Sequence, residues 1–355
     1  MGQLKIAWDT KFKKNKKLIL VFCGSVSSWI DENILNSADF MGRVSLTISL
    51  DELELSHCNE FWRENKDRIS SYEKFKFLSI SGGVPRYLEE MQPSETAENN
   101  IKAMCYDNTG ILFNEFDNIF NDIFSNKAKI YKQIVMTLAN GSQSFSDICK
   151  QLKISPNGVI SKNLKEIETS GFICRDYVYS IKTGRRKKLS KYRLKDCYLR
   201  YYLKYIEPVK DKINKGIYKY KNLENIPEFE TIMGYQFENL VLNNLAEVIE
   251  ILKIPAESIL SASPYFQHTT LRQKACQIDL LISTKNTIYV CEIKFQKKIN
   301  KAVIDEVKEK IIRLKYPKNI SIRPILIYIG DISKNIEAEN FFDKIIPFDN
   351  LLNIF

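Results

Sequence analysis

The stretch Gln277-Ile-Asp-Leu-Leu-Ile-Ser-Thr-Lys-Asn-Thr-Ile-Tyr-Val-Cys-Glu-Ile-Lys294 decides how the C-terminal half is read. Apolar runs at 278–283 and 287–295, rich in Ile, Val and Tyr, flank the short polar segment Thr284-Lys285-Asn286. Such a pattern predicts a β-hairpin. A turn centred near Lys285 and Asn286 makes the numbers of cross-strand partners sum to about 571, which sets Asp279 opposite Glu292. Side chains alternate faces, so Glu292 and Lys294 share one face while Cys291, Ile293 and Phe295 take the other. Two carboxylates and an ammonium thus meet on strands that otherwise read as buried. Burying charge is costly unless the groups pair or hold a metal.

A divalent-metal site is the functional reading of that cluster. Mg²⁺ takes one or two carboxylates together with water and substrate phosphate. The alternative is an edge hairpin whose charges pair on a solvated rim. An Asp on one strand followed by Glu-x-Lys on the next resembles the PD-(D/E)xK nuclease core, here Asp279 and Glu292-Ile293-Lys294. The resemblance implies Asp279 and Glu292 as metal ligands, Lys294 beside the nucleophile or the phosphate, and a further acid from a preceding helix. Gly234-Tyr-Gln-Phe-Glu238-Asn-Leu-Val-Leu opens such a helix, which makes Glu238 the auxiliary candidate. Gln277 stands where many members of that family carry an acid, so one expected ligand is replaced by a neutral side chain.

The 355 residues suffice for two or three domains, and their composition is that of a globular chain. A net charge of +10 permits a polyanionic partner, and the equally weighted alternative is Lys scattered over every surface. Cysteines at 23, 58, 105, 149, 174, 197, 276 and 291 show no CxxC spacing, and with only His57 and His268 beside them they argue against zinc. They read as reduced, buried hydrophobes. No signal peptide and no membrane-length apolar run is evident, so a cytoplasmic, non-membrane protein is expected.

In the first third, residues 18–23 and 44–50 read as strands, and 51–63 as a helix anchored by Leu53, Leu55 and Phe61. Residues 75–81 lead into Gly82-Gly-Val-Pro-Arg-Tyr-Leu88, where the glycines end one element and Pro85 presets the next helix. Cys23-Gly-Ser-Val-Ser-Ser-Trp-Ile30, Phe40-Met-Gly-Arg43 and Gly82–Leu88 resemble the AAA+-related archaeal-type ATPases, and the similarity runs from about Leu4 to the C-terminal strands. That family joins an ATPase core to a winged helix and a C-terminal nuclease-like domain. The resemblance implies Ser25 to Ser28 at a sensor position, Arg43 as a trans-acting arginine, and Gly82–Leu88 as the start of a lid. The P-loop spacing G-x-x-x-x-G-K-[ST] occurs nowhere in the chain, nor does an acidic Walker-B strand precede residue 18. Lacking the amides and lysine that cradle a triphosphate, the chain is not expected to hydrolyse ATP alone. A separate polypeptide supplying the missing half is one expected partner.

Further on, 127–140 is amphipathic at helical spacing, 145–152 reads as a second helix, and Ser155-Pro156 as the start of a third that ends at Gly171. Strands at 172–181 and 188–194 follow. Three helices and a two-stranded wing make a winged helix-turn-helix. Lys182, Arg185, Arg186, Lys187 and Lys188, with Lys191, crowd the wing and suit DNA phosphates, and Asn157, Ser161, Lys162, Asn163 and Lys165 of the third helix are candidates for base edges. The alternative is a solvated basic hairpin.

Tyrosines at 192–206 are expected to pack a junction rather than stack on bases. Residues 211–230 read as irregular or loosely helical, 238–252 as a long helix, 264–277 as a bridge, 305–315 as a helix and 325–329 as a strand. The expectation is an α/β protein: a truncated AAA+ remnant over 1–125, a winged helix over 126–195 and a PD-(D/E)xK-like domain over 196–355. It would act on DNA, with Mg²⁺-dependent phosphodiester cleavage by the last part. The alternatives are a non-catalytic binding module and an ATPase subunit completed in trans.

Overall fold

The hairpin turns where the sequence predicts it, inside a mixed α/β chain. The computed structural model describes residues 2–22, 34–35, 37–38, 40–124, 127–271 and 273–354. Helix α1 (Gly2–Thr10) and a 3-10 turn at Phe12–Lys14 come first, and no strand forms over the described residues up to Glu54. The strands expected at 18–23 and 44–50 are therefore corrected: residues 18–22 and 44–50 are irregular and exposed, with Ile19 84% and Leu50 87% accessible. Among the described residues neither segment has a neighbouring strand to take its backbone hydrogen bonds, and apolar composition alone does not make a strand. Cys23, Ser25 and Ser28 lie outside the described residues.

The expected helix at 51–63 contracts to α2 (Leu55–Asn59) with a 3-10 turn at Glu60–Asn65. Its front is drawn off because Leu53 N donates to Gly83 O at 2.8 Å. A Cβ at Gly83 would lie 2.1 Å from Leu53 O, so only glycine permits that approach. Helix α3 (Ser71–Ser81) is capped by Ser70, whose side chain accepts from Glu73 N, and it stops at Gly82, φ 56°. Pro85 opens α4 (Pro85–Glu89); α5 (Ala97–Cys105) and α6 (Ile111–Phe124) follow.

Three helices and an antiparallel pair come next: α7 (Ala128–Leu138), α8 (Phe145–Gln151), α9 (Gly158–Thr169), β1 (Ile173–Tyr179) and β2 (Arg186–Leu194). Ser144 and Asp147 cap α8 reciprocally. Helix α9 opens on Asn157, which accepts from Ile160 N at 3.0 Å, rather than on Ser155. The pair does not project freely, because Ser263 Oγ donates to Tyr177 O at 2.8 Å and ties β1 to β3 (Ile259–Gln267).

Helices α10 (Cys197–Tyr201) and α11 (Lys210–Asn214) lead to α12 (Phe229–Asn243) and α13 (Leu245–Ile251). The long helix expected at 238–252 thus begins earlier and breaks at Asn244. That side chain accepts from Leu55 N at 2.9 Å and donates to Leu240 O at 2.8 Å, terminating α12 while holding α2. Strands β4 (Cys276–Thr284) and β5 (Thr287–Ile299) form the hairpin, α14 (Ala302–Arg313) crosses to β6 (Ser321–Ile332), and α15 (Lys334–Ala338), β7 (Lys344–Pro347) and α16 (Asp349–Leu352) complete the chain. Sheet order is β3-β4-β5-β6-β7, antiparallel through β5 and parallel beyond. Leu280 pairs with Cys291 and Leu281 with Val290, the predicted register. Strand β3 replaces part of the expected bridge, and β7 was not foreseen.

Helix α12 lies between α3 and the sheet: Phe237 meets Phe75 and Phe348 edge-on at 5.6 and 5.7 Å, and Phe75 reaches Phe295 at 5.2 Å. Its other buried surface is polar. Gln236, 0% exposed, accepts from Arg200 Nη1 at 2.5 Å and donates to Ser79 O and Cys197 O at 2.6 and 2.7 Å. Replacing it strands three buried groups, each costing about 1–3 kcal/mol. Gln236→Leu is accordingly expected to lower unfolding stability by about 3 kcal/mol or more, measured by urea denaturation. A change below about 1 kcal/mol would show that these bonds do not hold α12.

Candidate active site

Strands β4 and β5 present Asp279 and Glu292 side by side, and the backbone itself fixes the first: Ile293 N donates to Asp279 Oδ2 at 2.9 Å. Glu292 is only 1% exposed although it lies on a sheet. Both of its oxygens are taken by ammonium groups, Oε1 by Lys294 Nζ at 3.0 Å and Oε2 by Lys310 Nζ at 2.5 Å. Glu306 completes the ring, 2.8 Å from Lys294 and 3.4 Å from Lys310. Glu306 and Lys310 are an i, i+4 pair on α14, so one helix face supplies both.

Glu238, from α12, lines the same cavity of about 770 Å³ as Asp279, Glu292, Lys294 and Lys310. All four residues chosen from the sequence therefore face one space. Gln277 is there too, in the place expected for an acid. Lys310 and Glu306 were missed: in sequence they sit in a helix of alternating Lys and Glu that reads as a solvated face. Their only signal is the helix's position between two parallel strands, which lays it against the hairpin.

Glu238, Asp279, Glu292 and Glu306 share the cleft with Lys294 and Lys310, and burial strips water from them. Burial, then repulsion from Glu238, pushes Asp279 up to about 6. Burial, then repulsion from Asp279, pushes Glu292 up to about 7 despite its lysines. Glu238 is raised by burial, against the pull of Arg193 and Arg200. Burial works against the ammonium of Lys310, yet Asp279 and Glu292 more than reverse it, and Lys294 is likewise held above its ordinary range by Glu292 and Glu306. Such strong shifts gathered inside one cleft are the kind that acid–base and metal sites display.

Among the described residues, no group of three or more His, Cys, Asp or Glu side chains is disposed to hold a metal ion. Any Mg²⁺ here would rest on Asp279 and Glu292, with water and a substrate phosphate completing its shell. That donor chemistry fits: two adjacent carboxylates, both raised by burial and neighbouring charge, gain from a divalent cation. A cation would compete with Lys294 and Lys310 for the oxygens of Glu292.

The wing residues Lys182, Arg185, Arg186, Lys187 and Lys188 are all exposed. Arg186 stacks over Tyr177 at 4.4 Å. Lys182 and Lys187 border a second cavity of about 620 Å³ between this pair and the large sheet. In the base-reading set on α9, Asn157 caps the helix and Asn163, 5% exposed, is buried, which corrects those two; Lys165 stays exposed and pairs with Glu168 at 3.0 Å. Tyr198, Tyr201 and Tyr202 are buried, and Tyr201 shares a 2.9 Å hydrogen bond with Tyr106, so they pack the interior as expected. Arg43 forms a two-point ion pair with Asp9, Nε to Oδ1 at 3.1 Å and Nη2 to Oδ2 at 2.8 Å. Among the described residues the cysteines are free, with Cys174 half-buried and the rest buried. No helix among them is long and apolar enough to cross a membrane.

Residues 202–310, from just past α10 through the hairpin into α14, match the model of the family DUF234, described as archaea bacterial proteins of unknown function. An uncharacterized protein of Methanocaldococcus jannaschii, MJECL04, is 25% identical over 247 residues, which is 68% of this chain and 53% of that protein. The chain thus matches about half the length of that relative. Protein VC1899 from Vibrio cholerae aligns over 70% of this chain and 55% of its own, at 12% identity and a TM-score of 0.29, too low to carry an argument about fold. What these comparisons support is similarity to the DUF234 proteins over the segment that contains Glu238, Asp279, Glu292 and Lys294.

Proposed function

We propose that the cleft between α12, the β4–β5 hairpin and α14 is a PD-(D/E)xK-type site for Mg²⁺-dependent phosphodiester cleavage of DNA, and that β1 and β2 with the helices before them act as a DNA-holding winged helix. The observation that carries the reading is the convergence of Glu238, Asp279, Glu292 and Lys294 on one cavity, with Glu292 buried among compensating lysines. A metal at Asp279 and Glu292 would lower the pKa of a bound water and neutralise negative charge developing on the phosphate oxygens. Lys294 donates to Glu292 and so fixes both its own ammonium and the carboxylate, ready to orient a nucleophile or a phosphate oxygen. Glu238 is the auxiliary acid, close enough to repel Asp279. The exposed cluster at Lys182, Arg185, Arg186, Lys187 and Lys188 suits sequence-independent phosphate contact.

A second reading has a specific observation in its favour. Both oxygens of Glu292 are already engaged by lysines, as they would be in a domain that binds DNA or protein without chemistry. A P-loop-bearing partner polypeptide that lends ATP chemistry is a further possibility carried by the family resemblance alone.

Cleavage of linear and supercoiled DNA with Mg²⁺ or Mn²⁺ separates the first two readings. Wild type is expected to cut, and Glu292→Ala and Asp279→Ala to lose about 10³-fold or more in rate while retaining DNA affinity. Wild-type protein that binds DNA and never cuts it leaves the binding module.

Titration offers a second check. Asp279 and Glu292 keep their protons in the native state to about pH 6 and 7, above the unfolded carboxylate range. The native state then binds more protons than the unfolded one, so their contribution to stability falls as pH rises through that window. In EDTA, Glu292→Gln should gain on wild type by about 2 kcal/mol between pH 5 and pH 8, read by urea denaturation at each pH. A flat difference would mean that Glu292 is fully compensated by its lysines.

A further inference from the structure

Next to the carboxylate cleft lies a smaller cavity of about 160 Å³, bordered by Lys191, Arg193, Arg200, Ser142, Asn140 and Glu238. Its volume equals that of roughly five waters, enough for a tetrahedral oxyanion. Lys191, Tyr235, Glu238 and Gln277 border both spaces, so the two are neighbours along one wall.

Cations exceed anions here. Arg193 is partly spent, with Nε donating to Asp176 Oδ2 at 3.0 Å and Nη1 to Asn243 Oδ1 at 3.1 Å. Arg200 is 2% exposed and gives Nη1 to Gln236 and Nη2 to Leu194 O at 3.2 Å, but its buried Nε has no partner. Burial draws its guanidinium down to about 10, against the pull of Glu238. Lys191 rests its ammonium 4.8 Å from the Phe266 ring, and its charge reaches Asp147, whose carboxyl it helps to lower. An arginine held this deep with an unused Nε donor, beside a half-buried lysine on the same cavity wall, can take an anion.

We propose that this cavity is an anion subsite that holds a backbone phosphate of the DNA strand next to the phosphodiester at Asp279 and Glu292. The inference rests on the cleavage reading for its choice of ligand. It routes the strand along β2, past Lys191 and Glu238, and not only over the tip of the wing.

The test measures binding in EDTA, where no cutting occurs. Equilibrium affinity for a short DNA duplex is followed against salt for wild type, Lys191→Gln, Lys191→Arg and, as a control, Lys219→Gln on the exposed segment beside Tyr218. Each lost phosphate contact lowers the log–log salt slope by about 0.9. Lys191→Gln is expected to lose about that much, and Lys191→Arg and Lys219→Gln to keep the wild-type slope. A folded Lys191→Gln with the wild-type slope overturns the subsite. On the wild-type protein, inorganic phosphate should raise the melting temperature above that in chloride of equal ionic strength, and no difference also overturns it. Stabilisation by phosphate with a DNA slope indifferent to Lys191→Gln would mark a free-oxyanion site and overturn the nucleic-acid assignment. A Lys191-dependent slope in a protein that never cuts DNA would keep the subsite and sink the cleavage reading instead.

Discussion

Helix α12 satisfies two incompatible neighbours, and the rest of the chain is arranged around that constraint. One side of it must bury aromatic rings against α3 and the sheet. Another must supply hydrogen bonds to Arg193, Arg200 and the carbonyls that follow β2, through Gln236, Asn239 and Asn243. Amide side chains meet that demand because each both donates and accepts, and they add no charge of their own to an interior that already holds two guanidinium groups. Shifting the helix by one residue would break both sets of contacts together. The same helix carries Glu238, so the position of the acid is inherited from the packing of the helix.

The charged cleft depends on this placement. Glu292 would be untenable at 1% exposure without Lys294 and Lys310, and the lysines in turn need Glu306. Partial compensation leaves the carboxyls easier to protonate than ordinary ones while keeping the ammonium groups firmly charged. Charge in such a ring responds to a newcomer as a set: displacing one lysine from Glu292 leaves another buried charge to be paired.

Much of this was legible in the sequence where the signal is local. The hairpin register followed from alternation and one polar turn, and register alone sets Asp279 beside Glu292. The three helices and two strands of the middle followed from amphipathic spacing and the stop at Gly171, although the third helix opens on Asn157 and not on Ser155. What escaped was set by tertiary partners. Residues 44–50 carry a strand's composition and have no strand to pair with among the described residues. Asn244 ends a helix that periodicity would continue, because its side chain is claimed by Leu55 N. Lys310 reads as one lysine among many until the β5–α14–β6 crossover lays it over Glu292. The unused donor of Arg200 is visible only once its neighbours are in place.

The irregular apolar segments near the start of the chain bear on how the protein behaves in a tube. Val44, Leu46, Ile48 and Leu50 alternate with polar residues and are between 42% and 87% exposed, with no strand alongside among the described residues. An alternating, unpaired, low-charge stretch is a template onto which another strand adds. In concentrated preparations this stretch is one place where copies of the chain would adhere. Light scattering that grows with protein concentration would then report on residues 44–50 and say little about the charged cleft.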